Sequence, residues 1–271
     1  MKTWCSETGN KAVFSFRGSV YRGLFFLAIA ATAHAEWSIV AADSEAGRAG
    51  IVHRQVTLKN SQANENTTID LALFSTKSCA LRVIDSPTPS HSDLANAMQQ
   101  QKCLAGVNGG YFNEEFAPIG LRIINGEMIA PMQRGGLVTG VLIASSSGVQ
   151  IMRAREFSRH QSATAAIQCG PFLVNRGRLV RGLDDSRAAR RTFAATGTND
   201  RAAVGVSSEI SLAQLAEILA STKLTADFKI DQALNLDGGS SSAFWFRRED
   251  GSTFDISEQK RVRDFVGVVP R

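Results

Sequence analysis

Residues 233–246 combine two short apolar strands with an unusual connection. Leu234 and Leu236 alternate with Asn235 and Asp237, and this period of two is typical of a half-buried strand. The strand ends in the carboxylate of Asp237, and two glycines and three serines follow at once. Glycines let the backbone approach a ligand closely, and serines add hydroxyl and N–H groups that hold anions. The pattern fits either a ligand-binding strand end or an ordinary Gly-Gly hairpin turn with a solvated aspartate.

A second stretch of the chain repeats this design. A short apolar strand ends in an amide, which two glycines and an aromatic pair follow: Asn108, Gly109, Gly110, Tyr111 and Phe112. Two strand ends of the same unusual kind predict two walls of one site.

The N-terminal residues have the pattern of an export signal. A basic region precedes the apolar run 24–31, and Ala33-His34-Ala35 fits a small-x-small cleavage site. We therefore predict a secretory signal peptide over residues 1–35, with cleavage before Glu36. The mature chain is then exported, to the periplasm or outside the cell, and keeps no membrane anchor. An uncleaved anchor or a buried first helix is the alternative.

The charge of the chain changes when this segment is removed. The 271 residues carry a net charge of +5, and the first 35 hold four basic residues and one acidic residue. The mature chain therefore carries only +2. It has no stripe of basic residues interleaved with aromatic ones, so nucleic acid is not an expected partner.

Three cysteines remain in the predicted mature chain, where export implies oxidising conditions. An odd number allows at most one internal disulfide and leaves one free thiol. We expect Cys79 to pair with Cys103, because both lie at the edge of a predicted element and the intervening loop is short. A bridge to Cys169 is the alternative. A catalytic role for Cys169 has little support, since no pattern pairs it with a histidine.

Short alternating runs and turn signals dominate the chain. Asn125-Gly126 predicts a hairpin between strands at 121–124 and 127–130. One helix is predicted over 93–98 with Ser92 as its cap, and a second over 211–220, which a capping box opens. The charged segment 183–191 is predicted to be an exposed loop. We predict an α+β fold: one domain over 36–271, of mixed or antiparallel sheets with a few helices packed on them.

The motifs taken together resemble the phosphodiester glycosidase family. The similarity covers nearly all of the predicted mature chain, and five motifs carry it in the family's order: Val107-Asn108-Gly109-Gly110-Tyr111-Phe112, Pro118-Ile119-Gly120-Leu121, Gln168-Cys169-Gly170-Pro171, Arg191-Thr192 and Asn235-Leu236-Asp237-Gly238-Gly239-Ser240-Ser241. The resemblance implies hydrolysis of a sugar-1-phosphodiester or related glycan at the glycosidic C1–O bond, which releases a free sugar and a phosphomonoester.

The resemblance also implies catalytic residues. Asp237 is the expected carboxylate, as nucleophile, base or stabiliser of a positive sugar. Arg191 is the expected phosphate clamp, because a guanidinium matches phosphate oxygens with two parallel hydrogen bonds. Asn108 is expected to hydrogen-bond the sugar or the phosphate. The leaving phosphomonoester has a second pKa of about 6, so it needs less help from an acid than a sugar alcohol does.

Substrate contacts are expected from a larger set of residues around these motifs: Gly109, Gly110, Tyr111, Phe112, Gln168, Gly170, Thr192, Gly238, Gly239, Ser240 and Ser241. Glu114 and Glu115 are the nearest candidates in sequence for a second carboxylate, although both also fit a solvated loop. No cofactor is required. A divalent metal ion at Asp237 is conceivable, because phosphodiester sites often recruit one.

Two other functions remain open from the sequence. The same cleft suits a non-catalytic protein that binds cell-surface polysaccharide or assists exopolysaccharide biosynthesis. It also suits a phosphodiesterase that cuts the P–O bond instead of the C–O bond.

Overall fold

Alternating apolar residues produce a structure that is mostly β-sheet. The computed structural model describes residues 37–88, 93–158 and 162–271. Within these ranges the chain forms eighteen strands and two α-helices in three sheets. The strand pairings are antiparallel throughout these ranges. The predicted combination of sheets and a few helices is present, with a stronger bias to strand than the sequence indicated.

The three sheets differ in size. The large sheet has eight strands, in the spatial order β1 (Trp37–Ala46), β2 (Val52–Asn60), β3 (Glu65–Ser75), β14 (Arg201–Ile210), β13 (Ala189–Gly197), β15 (Ile230–Asn235), β11 (Phe172–Asn175) and β12 (Arg178–Leu179). The second sheet has the order β7 (Glu127–Ala130), β6 (Arg122–Ile124), β10 (Ala165–Cys169), β8 (Gly140–Ser145) and β9 (Gly148–Arg153). The third has the order β17 (Thr253–Ile256), β16 (Phe244–Arg247), β5 (Ala105–Asn108), β18 (Asp264–Pro270) and β4 (Cys79–Asp85).

One hydrophobic core joins the three sheets. Its main cluster includes Leu234 of the large sheet, Ile167 of the second and Phe244 of the third, all with no exposed surface. Close packing of apolar side chains from every sheet makes the described residues one compact unit. No helix in the described ranges is long and apolar enough to cross a bilayer.

The two helices cover separate faces. Helix α1 (Leu94–Gln100) packs on the third sheet, and helix α2 (Leu212–Ser221) packs on the large sheet. The predicted capping box of α2 is confirmed, because Ser211 and Gln214 bond each other's backbone N–H groups. The N-cap of α1 is Asp93 and not the predicted Ser92, which lies outside the described residues.

Two sequence predictions about the chain path and the cysteines are wrong. Arg191 is a buried residue of β13, although the segment 183–191 was expected to be an exposed loop. Cys79, Cys103 and Cys169 are all free and buried, so the predicted Cys79–Cys103 disulfide is absent. Cys79 belongs to the main core cluster and Cys103 to the cluster under α1, which separates the two thiols. The predicted signal peptide, residues 1–35, lies outside the described residues.

Candidate active site

The two glycine-rich strand ends meet, and Asp237 lies between them. The backbone N–H of Asp237 donates to the carbonyl oxygen of Gly109 at 3.0 Å. The Asn108 side-chain Nδ2 donates to the carbonyl oxygen of Asp237 at 2.7 Å. Strand β5 ends at Asn108 in the third sheet, and β15 ends at Asn235 in the large sheet. The candidate site therefore lies where these two sheets meet, and both backbone groups of Asp237 are fixed there.

The side chain of Asn108 is committed to the protein itself. It is fully buried, and its Oδ1 accepts hydrogen bonds from Thr192 Oγ1 at 2.7 Å and from the Ala243 N–H at 3.0 Å. Thr192 is also fully buried. In this arrangement Asn108 and Thr192 position the backbone of Asp237, and their expected contacts with substrate remain predictions.

The Gly109 and Gly110 N–H groups both donate to Asp264. The Gly109 N–H bonds the Asp264 carbonyl oxygen, and the Gly110 N–H bonds Asp264 Oδ1, each at 2.8 Å. A Cβ at Gly109 would overlap Asp264 Oδ1, and one at Gly110 would overlap Arg122 Nη2. The two glycines are therefore needed because the backbone approaches the Asp264 and Arg122 side chains closely. The contact of this backbone with substrate, which the sequence indicated, remains a prediction.

Arg122 and Asp264 are site residues that the sequence analysis missed. Arg122 Nε lies 2.7 Å from Asp264 Oδ2, and each side chain is 1% exposed. Arg122 also donates to the carbonyl oxygens of Leu121, Gln168 and Tyr111. A buried guanidinium needs a paired carboxylate and several acceptors, and here it has both. The available signal was a charged residue of opposite sign within each of two apolar stretches, at Arg122 and at Asp264.

The Asp237 carboxyl group is half-buried, and its Oδ1 accepts the Gly238 N–H at 3.0 Å. Burial raises the pKa of Asp237 above its usual range, and the negative charge of Asp264 raises it further. The Ser241 hydroxyl, the charge of Lys260 and the Gly238 N–H act in the opposite direction on this pKa. The site thus holds a carboxyl group whose ionisation depends on its neighbours.

Lys260 is the second feature that the sequence analysis missed. Its side chain is exposed, and its Nζ lies 5.3 Å from the ring centroid of Phe112. The backbone N–H groups of Gln259 and Lys260 donate to the Ser240 carbonyl oxygen at 2.8 and 3.2 Å. These bonds hold the segment that carries the lysine against the glycine–serine turn. No local pattern marks Lys260, because its relevance comes only from this tertiary contact.

Arg191 lies along the same turn. A Cβ built on Gly238 would be 3.8 Å from Arg191 Cδ, so the arginine side chain runs beside this glycine. Its Nε donates to the Ile210 carbonyl oxygen at 3.0 Å, and its Nη2 donates to the Arg187 carbonyl oxygen at 2.5 Å. Arg191 Nη1 has no hydrogen-bond partner among the described residues. Part of the guanidinium is therefore held by the protein, and one amino group is left for an anion.

Tyr111 forms another side of the site. Its hydroxyl donates to the Gly170 carbonyl oxygen at 2.6 Å and accepts from Asn235 Nδ2 at 3.1 Å. Burial raises the pKa of Tyr111 far above its usual value, with smaller contributions from Cys169 and Asp237. The phenol therefore stays protonated and links β15 to Gly170.

Gln168 is fully buried, and both the oxygen and the nitrogen of its side-chain amide form hydrogen bonds within the protein. Its Oε1 accepts from the Leu121 and Gln133 N–H groups, both at 3.0 Å. Its Nε2 donates to the carbonyl oxygens of Gln133 and Val138. Gln168 thus holds the loop 131–139 in place, and its expected contact with substrate remains a prediction.

The glycine–serine turn presents further polar groups. Gly239–Ser241 form one turn of 3₁₀-helix, with Gly239 at a φ of +65° that favours glycine. The Ser242 hydroxyl oxygen is buried and has no hydrogen-bond partner among the described residues, whereas the buried Ser241 hydroxyl lies close enough to the Asp237 carboxyl group to lower its pKa. An unpaired buried hydroxyl suits a ligand or an ordered water. Ser240 is half-buried beside these two serines.

Two other sequence candidates lie apart from this network. Glu114 and Glu115 are exposed in the turn after Phe112, and the Phe112 ring packs edge-on against Phe116 at 5.0 Å between centroids. Within the described ranges, no three His, Cys, Asp or Glu side chains come together in a way that would hold a metal ion.

The family model for phosphodiester glycosidases matches residues 101–269, which is more than half of the chain and includes both glycine-rich strand ends. The chain belongs to the phosphodiester glycosidase family. The resemblance seen in the sequence motifs is therefore confirmed at the level of the family.

This chain is similar to the uncharacterized protein YigE of Escherichia coli K12. The two are 30% identical over 94 residues, which is 32% of this chain and 37% of YigE. The matched part thus spans little more than a third of that relative.

Solved structures share the fold at low identity. A hypothetical protein from Synechocystis matches with a TM-score of 0.60 and 17% identity, over 82% of this chain but only 62% of its own. The zebrafish N-acetylglucosamine-1-phosphodiester alpha-N-acetylglucosaminidase catalytic domain, auto-inhibited by its pro-peptide, matches with a TM-score of 0.58 and 14% identity over 89% of this chain and 85% of that one. A putative exported protein from Burkholderia pseudomallei matches with a TM-score of 0.53 and 10% identity over 76% and 75% of the two chains. At these identities the likeness shows the fold alone.

Proposed function

We propose that this protein is a hydrolase that cleaves the glycosidic C1–O bond of a sugar-1-phosphodiester on an exported glycan or glycoconjugate. The products are a free sugar and a phosphomonoester. One observation carries the proposal: the half-buried carboxyl group of Asp237 is fixed by both of its backbone groups between two strand ends. A carboxylate held in this way, in a family of phosphodiester glycosidases, suits attack at an anomeric carbon.

The charges around Asp237 fit the proposed chemistry. Arg191 Nη1 and the exposed Lys260 are cations on two sides of the glycine–serine turn. In the proposal they bind the phosphate and stabilise the negative charge that grows on it as the C1–O bond breaks. The Ser242 hydroxyl supplies an additional donor to the same anion.

The electron and proton balance needs no cofactor. The electron pair of the C1–O bond leaves on the phosphate oxygen, and a water oxygen forms the new bond to C1. Asp237 either takes the proton from this water or first bonds C1 itself and is then released by water. The phosphomonoester leaves without a strong acid because its second pKa is about 6. Activity that persists in a chelator supports this metal-free scheme, and loss that added Mg²⁺ restores contradicts it.

Export is part of the proposal. The predicted signal peptide supports it, and one structurally similar protein is described as a putative exported protein. An exported enzyme would meet surface glycans and their phosphodiesters.

The decisive experiment measures sugar release by residues 36–271 from UDP-N-acetylglucosamine and from simple sugar-1-phosphodiesters, beside the variant Asp237→Asn. We expect the variant to lose at least roughly a hundredfold in kcat. Hydrolysis in ¹⁸O-water assigns the bond, because C–O cleavage labels the sugar and P–O cleavage labels the phosphate. Label in the phosphate, or equal turnover by both proteins, refutes the proposal. Glycan binding without turnover would favour the non-catalytic binder.

A further inference from the structure

A cavity of about 840 Å³ opens beside the candidate site and contains a cluster of arginines. Its lining includes Arg134, Arg153, Arg155, Thr139 and Phe157. Arg134 and Arg155 are exposed, and Arg153 is half-buried. We call this space the arginine cavity.

Gly170 lies between Tyr111 and Thr139, a residue of the cavity lining. On one side the Gly170 carbonyl oxygen accepts the Tyr111 hydroxyl at 2.6 Å. On the other side a Cβ at Gly170 would overlap the Leu137 carbonyl oxygen and lie 2.8 Å from the Thr139 nitrogen. Thr139 Oγ1 also accepts the Phe172 N–H at 2.9 Å. Gly170 therefore connects Tyr111 of the candidate site to the lining of the arginine cavity.

The three arginines have no acidic partner. In the described ranges none of the Arg134, Arg153 and Arg155 guanidiniums forms an ion pair with a carboxylate. The nearby Glu156 carboxylate accepts the backbone N–H of Arg153 at 3.4 Å. Burial and the charge of Arg155 lower the pKa of Arg153, and Glu156 opposes this only in part. A bound anion would relieve this repulsion.

Arg153 is also arranged as an anion receptor. Its guanidinium carbon lies 4.2 Å from the centroid of the buried Phe172 ring. Contact with the ring holds the guanidinium in place, and a guanidinium offers two parallel N–H bonds to a phosphate. The unpaired charge, the ring contact and the open space together form a site for an anionic group.

We propose that the arginine cavity binds a phosphate group of an anionic glycan, in addition to the phosphate at Asp237. The link to a substrate rests on the proposed function: a glycan with repeating phosphodiesters would place one phosphate at Asp237 and another at the cavity. The volume suits a group larger than a single phosphate, such as a phosphorylated sugar.

The test is calorimetric titration of residues 36–271 with tripolyphosphate at low salt. Two variants probe the cavity, Arg153→Gln/Arg155→Gln and Arg134→Gln/Arg155→Gln. The second removes only exposed side chains, so its folding is not at risk. The matched control is Arg48→Gln/Lys223→Gln, which removes the same charge from exposed positions outside the cavity lining. Arg191 and Lys260 are present in every protein, so binding at the Asp237 site is common to all.

We expect both cavity variants to bind about tenfold more weakly or to lose one binding event, as the loss of charge-assisted hydrogen bonds predicts. The control should stay within about threefold of the wild type, since only long-range charge is changed. Equal binding by the control and the cavity variants overturns the proposal. Tighter binding of oligogalacturonate than of tripolyphosphate also overturns it, because the site would then select carboxylates.

A further arm separates this proposal from the proposed function. In the Asp237→Asn background the two cavity variants should still weaken tripolyphosphate binding about tenfold, since the cavity lining does not include Asp237. Cavity-dependent binding by a protein that hydrolyses no sugar-1-phosphodiester would sustain the anion site and refute the enzyme. Hydrolysis with no cavity-dependent binding would sustain the enzyme and refute the anion site.

Discussion

Arg122 and Asp264 form a buried ion pair that supports the position of Asp237 from a distance of two hydrogen bonds. The Asp264 carbonyl oxygen accepts the Gly109 N–H, and the Gly109 carbonyl oxygen accepts the Asp237 N–H. Asp264 Oδ1 accepts a hydrogen bond from the N–H of Gly110, while its Oδ2 accepts one from Arg122 Nε. The geometry of the candidate site therefore depends on a charge pair that need not touch substrate.

Replacing Asp264 by asparagine should destabilise the protein strongly. The change leaves the Arg122 guanidinium buried without a counter-charge, which typically costs about 3–5 kcal/mol in the free energy of unfolding. Urea unfolding followed by circular dichroism measures this loss. The control is Lys77→Gln, which breaks the exposed Lys77–Asp200 pair and should leave the midpoint nearly unchanged. A loss below about 1 kcal/mol for Asp264→Asn would contradict the proposed support.

Gly110→Ala should reduce both stability and activity. The added Cβ would overlap Arg122 Nη2 and lie 3.2 Å from Ile167 Cδ1, so the ion pair must shift. Forced overpacking of this kind costs about 1–3 kcal/mol. Gly136→Ala is the matched control, because its Cβ would meet nothing within 4 Å, and a change within about 0.5 kcal/mol is expected. Equal unfolding midpoints for the two variants would show that the close approach is unimportant.

Lys260→Gln should move the acid limb of the pH–rate profile to higher pH. The positive charge of Lys260 lowers the pKa of Asp237, so its removal raises this pKa, and a higher pH is then needed to form the carboxylate. The measurement is kcat/KM against pH at low ionic strength, with the exposed Lys223→Gln as control. A limb that stays fixed or moves to lower pH would rule out this coupling.

The raised pKa of Asp237 also has a consequence for stability. A carboxyl group with a raised pKa binds its proton more tightly in the folded state than in the unfolded state. Its contribution to the free energy of unfolding is therefore largest at low pH and falls as pH rises from the unfolded pKa through the folded pKa.

Residues 36–271 should contain three titratable thiols without any reductant. Cys79, Cys103 and Cys169 are free, and burial raises the pKa of Cys103 to about 11 and of Cys169 to about 12. Native protein should therefore react slowly with Ellman's reagent, and protein in guanidinium chloride should give three equivalents. One equivalent, rising to three after reduction, would instead indicate a disulfide.

The local architecture was predictable because short-range rules decide it. The Asn125-Gly126 turn lies between β6 and β7, as its hairpin pattern predicted. The capping box of α2 was predictable for the same reason, because Ser211 and Gln214 are only three positions apart. The junction of the two strand ends was inferred from a repeated pattern of polar residue and glycine pair, and Asn108 and Asp237 do make contact.

Long-range relationships were not predictable from one sequence. Arg122 and Asp264 are 142 positions apart, and nothing local connects them. Arg191 lies in a segment whose composition is that of a loop, yet the carbonyl oxygens of Ile210 and Arg187 satisfy part of its guanidinium and allow its burial. The apolar residues 165–174 fit one strand interrupted by Gly170-Pro171 in sequence, whereas β10 and β11 enter different sheets.

The two backbone bonds of Asp237 to the end of β5 make the geometry of the candidate site a property of the assembled sheets. The large sheet alone carries the Asp237 motif, but Asn108 and Gly109 come from the third sheet. A folding intermediate with only one of these sheets in place would contain the sequence of both strand ends and still lack the assembled candidate site. Recovery of activity during refolding would therefore report the docking of the two sheets and not the formation of either one.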